Sequence, residues 1–256
     1  MTLKLTLAYD GTAYVGWQRQ ENGPSIQQLV EEALIPFDAD GPRPVVNGAS
    51  RTDAGVHAVG QVASVRVSLA HPYDAILRAL NIRLPTDIRV LSVEEAPESF
   101  HARIDAVGKR YRYRINVAPV VMPMHRWFVW HVQGRLDLAA MQEAASSLVG
   151  AHDFAAFQAT GSSVVDTRRV VQRLDVVAAG DEVHVEIEGD GFLRHMVRII
   201  AGSLVEVGVG TRTPAWLGRV RAGLDRRQAG RTAPAAGLCL ERVFYSPLSP
   251  PVSAGQ

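Results

Sequence analysis

Residues 3–9, LKLTLAY, alternate apolar and polar side chains, the period-2 signature of a strand with one face buried and the other in water. Asp10-Gly11 then turns the chain. Ser25 is placed to cap a helix whose apolar residues Ile26, Leu29, Val30, Ala33 and Leu34 recur at helical spacing until Pro36. Working outward, strands are expected near 44–48 and 60–67, a helix near 72–82 begun by Pro72, and a strand near 87–95. The order is β-α-β-β-α-β. The second half restarts with a strand at 106–117, a helix at 137–149 and strands near 168–178 and 182–189. A helix at 194–208, a short helix at 214–224 opened by Pro214, and a strand at 238–245 complete it. This is the same plan with one extra helix and no residue-level repeat.

Two split β-α-β units of this kind lay their helices on one face of a mainly antiparallel sheet. The expected class is α+β: two ferredoxin-like, RRM-like domains joined around such a sheet, with a central cleft. The boundary is expected near Arg103, with an N-terminal domain over 1–103, a C-terminal domain over 104–246, and a flexible Pro- and Ser-rich tail over 247–256.

The 256 residues are 47% hydrophobic and 21% charged, with one Cys and a net charge of +1. That composition excludes collagen, low-complexity disorder and a disulfide scaffold. No run approaches the roughly 18 apolar residues of a membrane span, and Asp10 sits where a signal peptide would place its apolar core. A cytoplasmic protein with no membrane partner is expected. Cys239, among Leu238, Leu240 and Val243, reads as a core filler. Of the 27 basic residues only Lys4 and Lys109 are lysines, a bias that carries no functional weight by itself. The charges are nonetheless uneven. Ser99 to Arg114 sets Arg103, Lys109, Arg110, Arg112 and Arg114 against Asp105 alone.

The stretch 47–61, NGASRTDAGVHAVGQ, places three glycines, an arginine, an aspartate and a histidine between two strands. Such a loop brings backbone close to a ligand and keeps polar side chains out of the strand ladder. Asp53 is either a turn aspartate bonding its own backbone or a reactive carboxylate. His57, four residues on, suggests an Asp/His metal pair, but no second ligand cluster supports it, and no metal is expected. In YRYRI, 111–115, alternation sends Tyr111, Tyr113 and Ile115 to one face and Arg110, Arg112 and Arg114 to the other. This is either a half-buried strand with a solvated arginine ladder or a stacking surface beside phosphate-binding cations. In GDGFLRHMVR, 189–198, Arg194 and Arg198 fall on one side of the expected helix, as a solvated pair or as a cation facing Asp53. The segment YDGTAYVGWQRQ, 9–20, with Tyr14 and Trp17, is an aromatic-anchored loop or an RNA contact.

These strings together resemble the tRNA pseudouridine synthases of the TruA type. The likeness runs in order through YDGTAYVGWQRQ (9–20), SIQ (25–27), GASRTDAGVHAVGQ (48–61), FHAR (100–103), GKRYRY (108–113), GAHDFAAF (150–157), GFLRHMVR (191–198) and TAPAAGLCL (232–240). RTDAGVHA is the most specific of them. The resemblance implies isomerisation of uridine to pseudouridine at positions 38, 39 and 40 of the tRNA anticodon stem-loop, by a two-domain homodimer without a cofactor. It implies that Asp53 is the catalytic aspartate, that Tyr111 stacks on the target base, that Arg51 assists base flipping, and that Arg198 pairs with the aspartate. Arg112 and Arg114 are expected on substrate phosphates. Gln28, after SIQ, departs from the glycine that members often carry, away from the site.

A carboxylate, a flat aromatic and a guanidinium suit a reaction that detaches a base, rotates it and rejoins it at another atom. Whether Asp53 attacks C1′, attacks the base or deprotonates C2′ is left open by the residues. The competing readings are a non-catalytic RNA-binding protein or chaperone of the same fold, and a carboxylate-pair glycosidase. The first has no use for a carboxylate facing a polyanion. The second needs another acid, and no Asp or Glu occurs between Asp53 and Asp74.

Overall fold

The computed structural model describes residues 1–37, 43–68 and 71–246. Along the chain run β1 (Thr2–Tyr9), α1 (Ile26–Leu34), β2 (Asn47–Gly48), β3 (His57–Arg66), α2 (Tyr73–Arg83), β4 (Ile88–Ala96), β5 (Gly108–Asn116) and β6 (Trp130–His131). Then come α3 (Leu138–Ser146), β7 (Gly150–Asp153), β8 (Arg168–Ala179), β9 (Glu182–Gly189), α4 (Met196–Gly208), α5 (Pro214–Gly223) and β10 (Leu238–Phe244). The class is α+β with mainly antiparallel pairing. Among the described residues no helix is long and apolar enough to cross a membrane. The expected tail, 247–256, lies outside the described residues.

Two compact units divide the chain: Met1–Val107 with Cys239–Ser246, and Gly108–Leu238. The first division falls a few residues after Arg103. The larger difference is that β10, expected with 104–246, counts almost entirely with the first unit.

In the first unit β1 lies antiparallel between β3 and β4, and β2 pairs antiparallel with β3 at Ser64 and Ala63. The order β4-β1-β3-β2 is that of a doubled split β-α-β. Leu3, Leu5, Leu7 and Tyr9 are buried, the face read from LKLTLAY, and each buried leucine contributes about 1.5–3 kcal/mol. The Ser25 hydroxyl accepts the Gln28 amide and caps α1. The helix buries Gln27 and Glu31 in place of the expected Leu29, because Gln27 Nε2 donates to both Glu31 Oε1 and the Val46 carbonyl. Farther along β3, His57 and Ala58 pair in parallel with Cys239 and Leu240 of β10. Gly60 permits this approach: a Cβ there would stand 2.1 Å from the Glu241 carbonyl oxygen.

In the second unit β5, β9, β8 and β7 follow one another antiparallel, and β6 adds to β5 in parallel. Tyr111, Tyr113 and Ile115 of β5 are buried with Val185 and Ile187 of β9. Helix α4 carries Met196, Ile199, Ile200 and Leu204 into the core, and α3 packs on α4, α5 and β8. α4 begins at Met196, two residues later than expected, because His195 takes a left-handed conformation (φ 60°) that ends the preceding turn.

Candidate active site

The loop carrying Asp53 is held on both sides by the 9–20 segment. Trp17 N–H donates to the Thr52 carbonyl at 3.0 Å, and Gly16 bridges to Asp53 across an isolated antiparallel pair. Gly16 has φ +108°, and a Cβ there would lie 2.5 Å from the Thr52 oxygen, so only glycine fits. Gly11 passes still closer, 2.0 Å from Cβ to the Val56 oxygen. Trp17, 1% exposed, fills the space above Gly48, where any Cβ would collide with its indole. Beneath the loop the Thr52 and Tyr9 hydroxyls are 2.9 Å apart, while Gln61 donates to the Ser50 carbonyl at 2.7 Å and accepts the Ser50 amide at 3.2 Å. Thr52 is therefore buried, Asp53 half-buried and Arg51 exposed. The segment with Tyr14 and Trp17 is the aromatic-anchored loop: its rings are inside, Tyr14 donating to Asp87 at 2.6 Å. Burial and the Asp87 carboxylate push the Tyr14 phenol far above its ordinary value, so it stays a donor.

His57 is buried, and its Nδ1 lies 3.1 Å from both the Gly11 amide and Asp10 Oδ1. That nitrogen accepts the one or donates to the other. Either way it serves the Asp10-Gly11 turn.

The other residues read as a site lie in the second unit. Tyr111, on β5, is 6% exposed, its ring edge-on to Phe192 at 5.4 Å in the glycine-rich turn before α4. Arg198 is half-buried in the first turn of α4; Arg194 precedes the helix, is exposed, and does not share its face. Arg198 Nε donates to the Ala233 carbonyl at 2.8 Å, and the Ala233 amide returns to the Arg198 carbonyl at 3.1 Å. Ala233 belongs to the TAPAAGLCL string, whose function as a brace for this arginine was not legible from spacing.

On the opposite face of β5 the basic residues are matched by acids of β9. Arg110 meets Glu188 at 2.6 Å, Arg112 meets Glu186 at 3.0 Å, and Arg114 grips both oxygens of Glu182 at 2.7 and 2.8 Å. Arg173 of β8, ion-paired with Asp175, also reaches Glu186 and Glu188. The local excess of positive charge in 99–114 is thus largely answered in the fold, because cross-strand register sets Arg110 opposite Glu188 and Arg112 opposite Glu186. Burial raises the Glu182 carboxyl, but Arg114 and His184 outweigh it and leave it below its ordinary value. Arg51 and Asp53 therefore share one rigid loop of the first unit, while Tyr111, Arg112, Arg114 and Arg198 share the β5–α4 region of the second.

The sequence profile described as tRNA pseudouridine synthase matches residues 6–105 and 144–246. The "tRNA pseudouridine synthase A" of Syntrophotalea carbinolica is 51% identical over 245 residues, covering 96% of this chain and 96% of that protein. That of Myxococcus xanthus is 47% identical over 244 residues, 95% of this chain and 91% of its own length. That of Citrifermentans bemidjiense is 44% identical, with 95% and 97% covered. With the profile covering both units and the relatives covering nearly every residue, the chain belongs to the tRNA pseudouridine synthase family.

Proposed function

We propose that this chain isomerises uridine to pseudouridine at positions 38, 39 and 40 of the tRNA anticodon stem-loop, as a cytoplasmic homodimer and without a cofactor. The observation that carries the reading is the Asp53 loop, a half-buried carboxylate on a backbone clamped by Gly16, Trp17 and Thr52, in a chain of this family. Such rigidity holds a reacting group at one position, as catalysis requires.

The reaction breaks the bond from uracil N1 to ribose C1′, turns the base, and joins C1′ to C5. C5 loses its hydrogen as a proton and N1 gains one, so no atom or electron is imported. In this reading Asp53 is the catalytic carboxylate, acting on carbon or taking a ribose proton. Tyr111 holds the base and its hydroxyl serves the departing C5 proton. Arg198 is the cation that keeps Asp53 ionised and aimed. Arg51, exposed beside Asp53, assists extrusion of the nucleotide, a step that costs a few kcal/mol. Arg112 and Arg114 have a lesser part, since a phosphate must share guanidinium groups already engaged by Glu186 and Glu182; the five donors of each guanidinium permit that. A mere RNA-binding protein is not favoured, because the arginines of β5 are already paired with glutamates of β9 and nothing about binding alone calls for the clamp on Asp53.

The test is release of tritium from a tRNA transcript labelled at uridine C5. The wild type should release it from the three positions. Asp53→Asn should fold, bind tRNA and release none; turnover by the pure variant would overturn the assignment.

A further inference from the structure

We infer that Tyr113 is a positioning residue for the reaction: its hydroxyl fixes the 231–234 strap, and the strap fixes the guanidinium of Arg198. The inference rests on the role proposed above for Arg198. Tyr113 is wholly buried, and its hydroxyl donates to the Pro234 carbonyl at 2.7 Å. One residue back, the Ala233 carbonyl accepts Arg198 Nε at 2.8 Å. A peptide whose two successive carbonyls are both engaged cannot rotate without breaking one of these bonds. With Nε so occupied, recognition of a carboxylate falls to the two terminal nitrogens, whose plane is set by the Nε bond. The strap is also pressed on α4 at Gly202, where a Cβ would stand 1.9 Å from the Arg231 carbonyl oxygen. The strap is therefore held at Arg231 by the close approach to Gly202 and at Pro234 by the phenol, and the Arg198 guanidinium is tied to Ala233 between these two points. Burial pushes the Tyr113 phenol far above its ordinary value despite the nearby Arg198 and Arg231, so it remains a donor throughout the working range.

Tyr113→Phe removes the donor and keeps the ring. Two measurements on the full chain read the result. In ¹⁵N-arginine-labelled protein, the Arg198 Nε–H signal, identified by its loss in Arg198→Lys, should exchange with solvent about tenfold faster in Tyr113→Phe. Single-turnover tritium release with saturating enzyme should fall about tenfold, with tRNA Kd within twofold of wild type. Gly202→Ala, which displaces the strap at Arg231, should reproduce both effects. An Arg198 Nε–H signal unchanged in folded Tyr113→Phe would overturn the positioning role. A loosened signal with an unchanged rate would instead overturn the part given to Arg198 in the chemistry, and the inference with it. Weakened tRNA binding at an unchanged bound rate would also refute it.

Discussion

Replacing Gly16 by alanine tests whether the Asp53 loop is held by the backbone clamp rather than by its own turn. The new Cβ would sit 2.5 Å from the Thr52 oxygen and 3.0 Å from the Asp53 carbonyl carbon. That is roughly 1 Å short of ordinary contact, and both obstacles are backbone, so no side-chain rotation relieves it. The φ of +108° adds strain of about 1–3 kcal/mol for a residue with a Cβ. The molecule has two ways to respond. If the loop stays, stability falls by at least the strain, which for a chain of this size lowers Tm by roughly 2–4 °C per kcal/mol. If the loop yields, Asp53 moves by a large part of 1 Å, and misplacement on that scale costs about 10²-fold in rate. Gly134→Ala separates strain from collision. Gly134 has φ +97° but nothing within 4 Å of a Cβ, so that variant should lose stability and keep its rate. The assays are thermal unfolding by circular dichroism and single-turnover tritium release. Gly16→Ala with wild-type melting and wild-type turnover would refute the clamp.

Tyr111→Phe preserves the ring against Phe192 but removes the hydroxyl; single-turnover release should fall roughly 10²-fold if the hydroxyl serves proton removal, and Tyr111→Leu should fall further. Near-wild-type rates in both would take Tyr111 out of the site. Arg112→Gln should reduce the log-log salt dependence of tRNA binding by at most about one unit, as for one phosphate contact; an unchanged slope would make Arg112 a partner of Glu186 and nothing more. The depressed Glu182 carboxyl contributes stability that is fully present above its ordinary pKa of 4.5 and is lost as pH falls through the lower folded value. Glu182→Gln should therefore flatten the acid limb of the stability curve measured by urea titration, and an identical limb would show that the Arg114 pairing contributes nothing.

Local pattern carried the reading of the fold a long way. LKLTLAY declares its buried face because leucines at alternate positions leave no second solution, and Ser25 caps α1 as its side chain predicts. The strand expected near 60–67 begins earlier, at His57, and Gly60 within it admits a strand from almost two hundred residues away. Long-range pairing leaves no periodic trace. β6 and β7 are hidden for another reason: with two and four residues they are too short to show a period. At the site, period and charge leave Asp53, Tyr111 and Arg198 each with a structural and a functional reading, and the roles proposed for them are those that the family resemblance implies. The ladder of Arg110, Arg112 and Arg114 shows why charge along a chain is a poor guide to charge on a surface: the neutralising glutamates lie some seventy residues downstream and meet the arginines only through strand register.

The pairing of β10 with β3 has a consequence for synthesis on the ribosome. Residues 57–58 wait for 239–240, and Val107 and Ala102 likewise wait for Phe244 and Tyr245, whose backbone carbonyl and phenol they meet. At about 5–20 residues per second that interval is on the order of ten to thirty seconds, during which β3, the strand that follows the Asp53 loop, has a stretch of unpaired edge. A chain released early cannot acquire the β10 part of its first unit, whatever the state of its second. Translation must run past residue 240 before the strand that follows the Asp53 loop is complete, so prematurely terminated products carry that loop on an unfinished sheet.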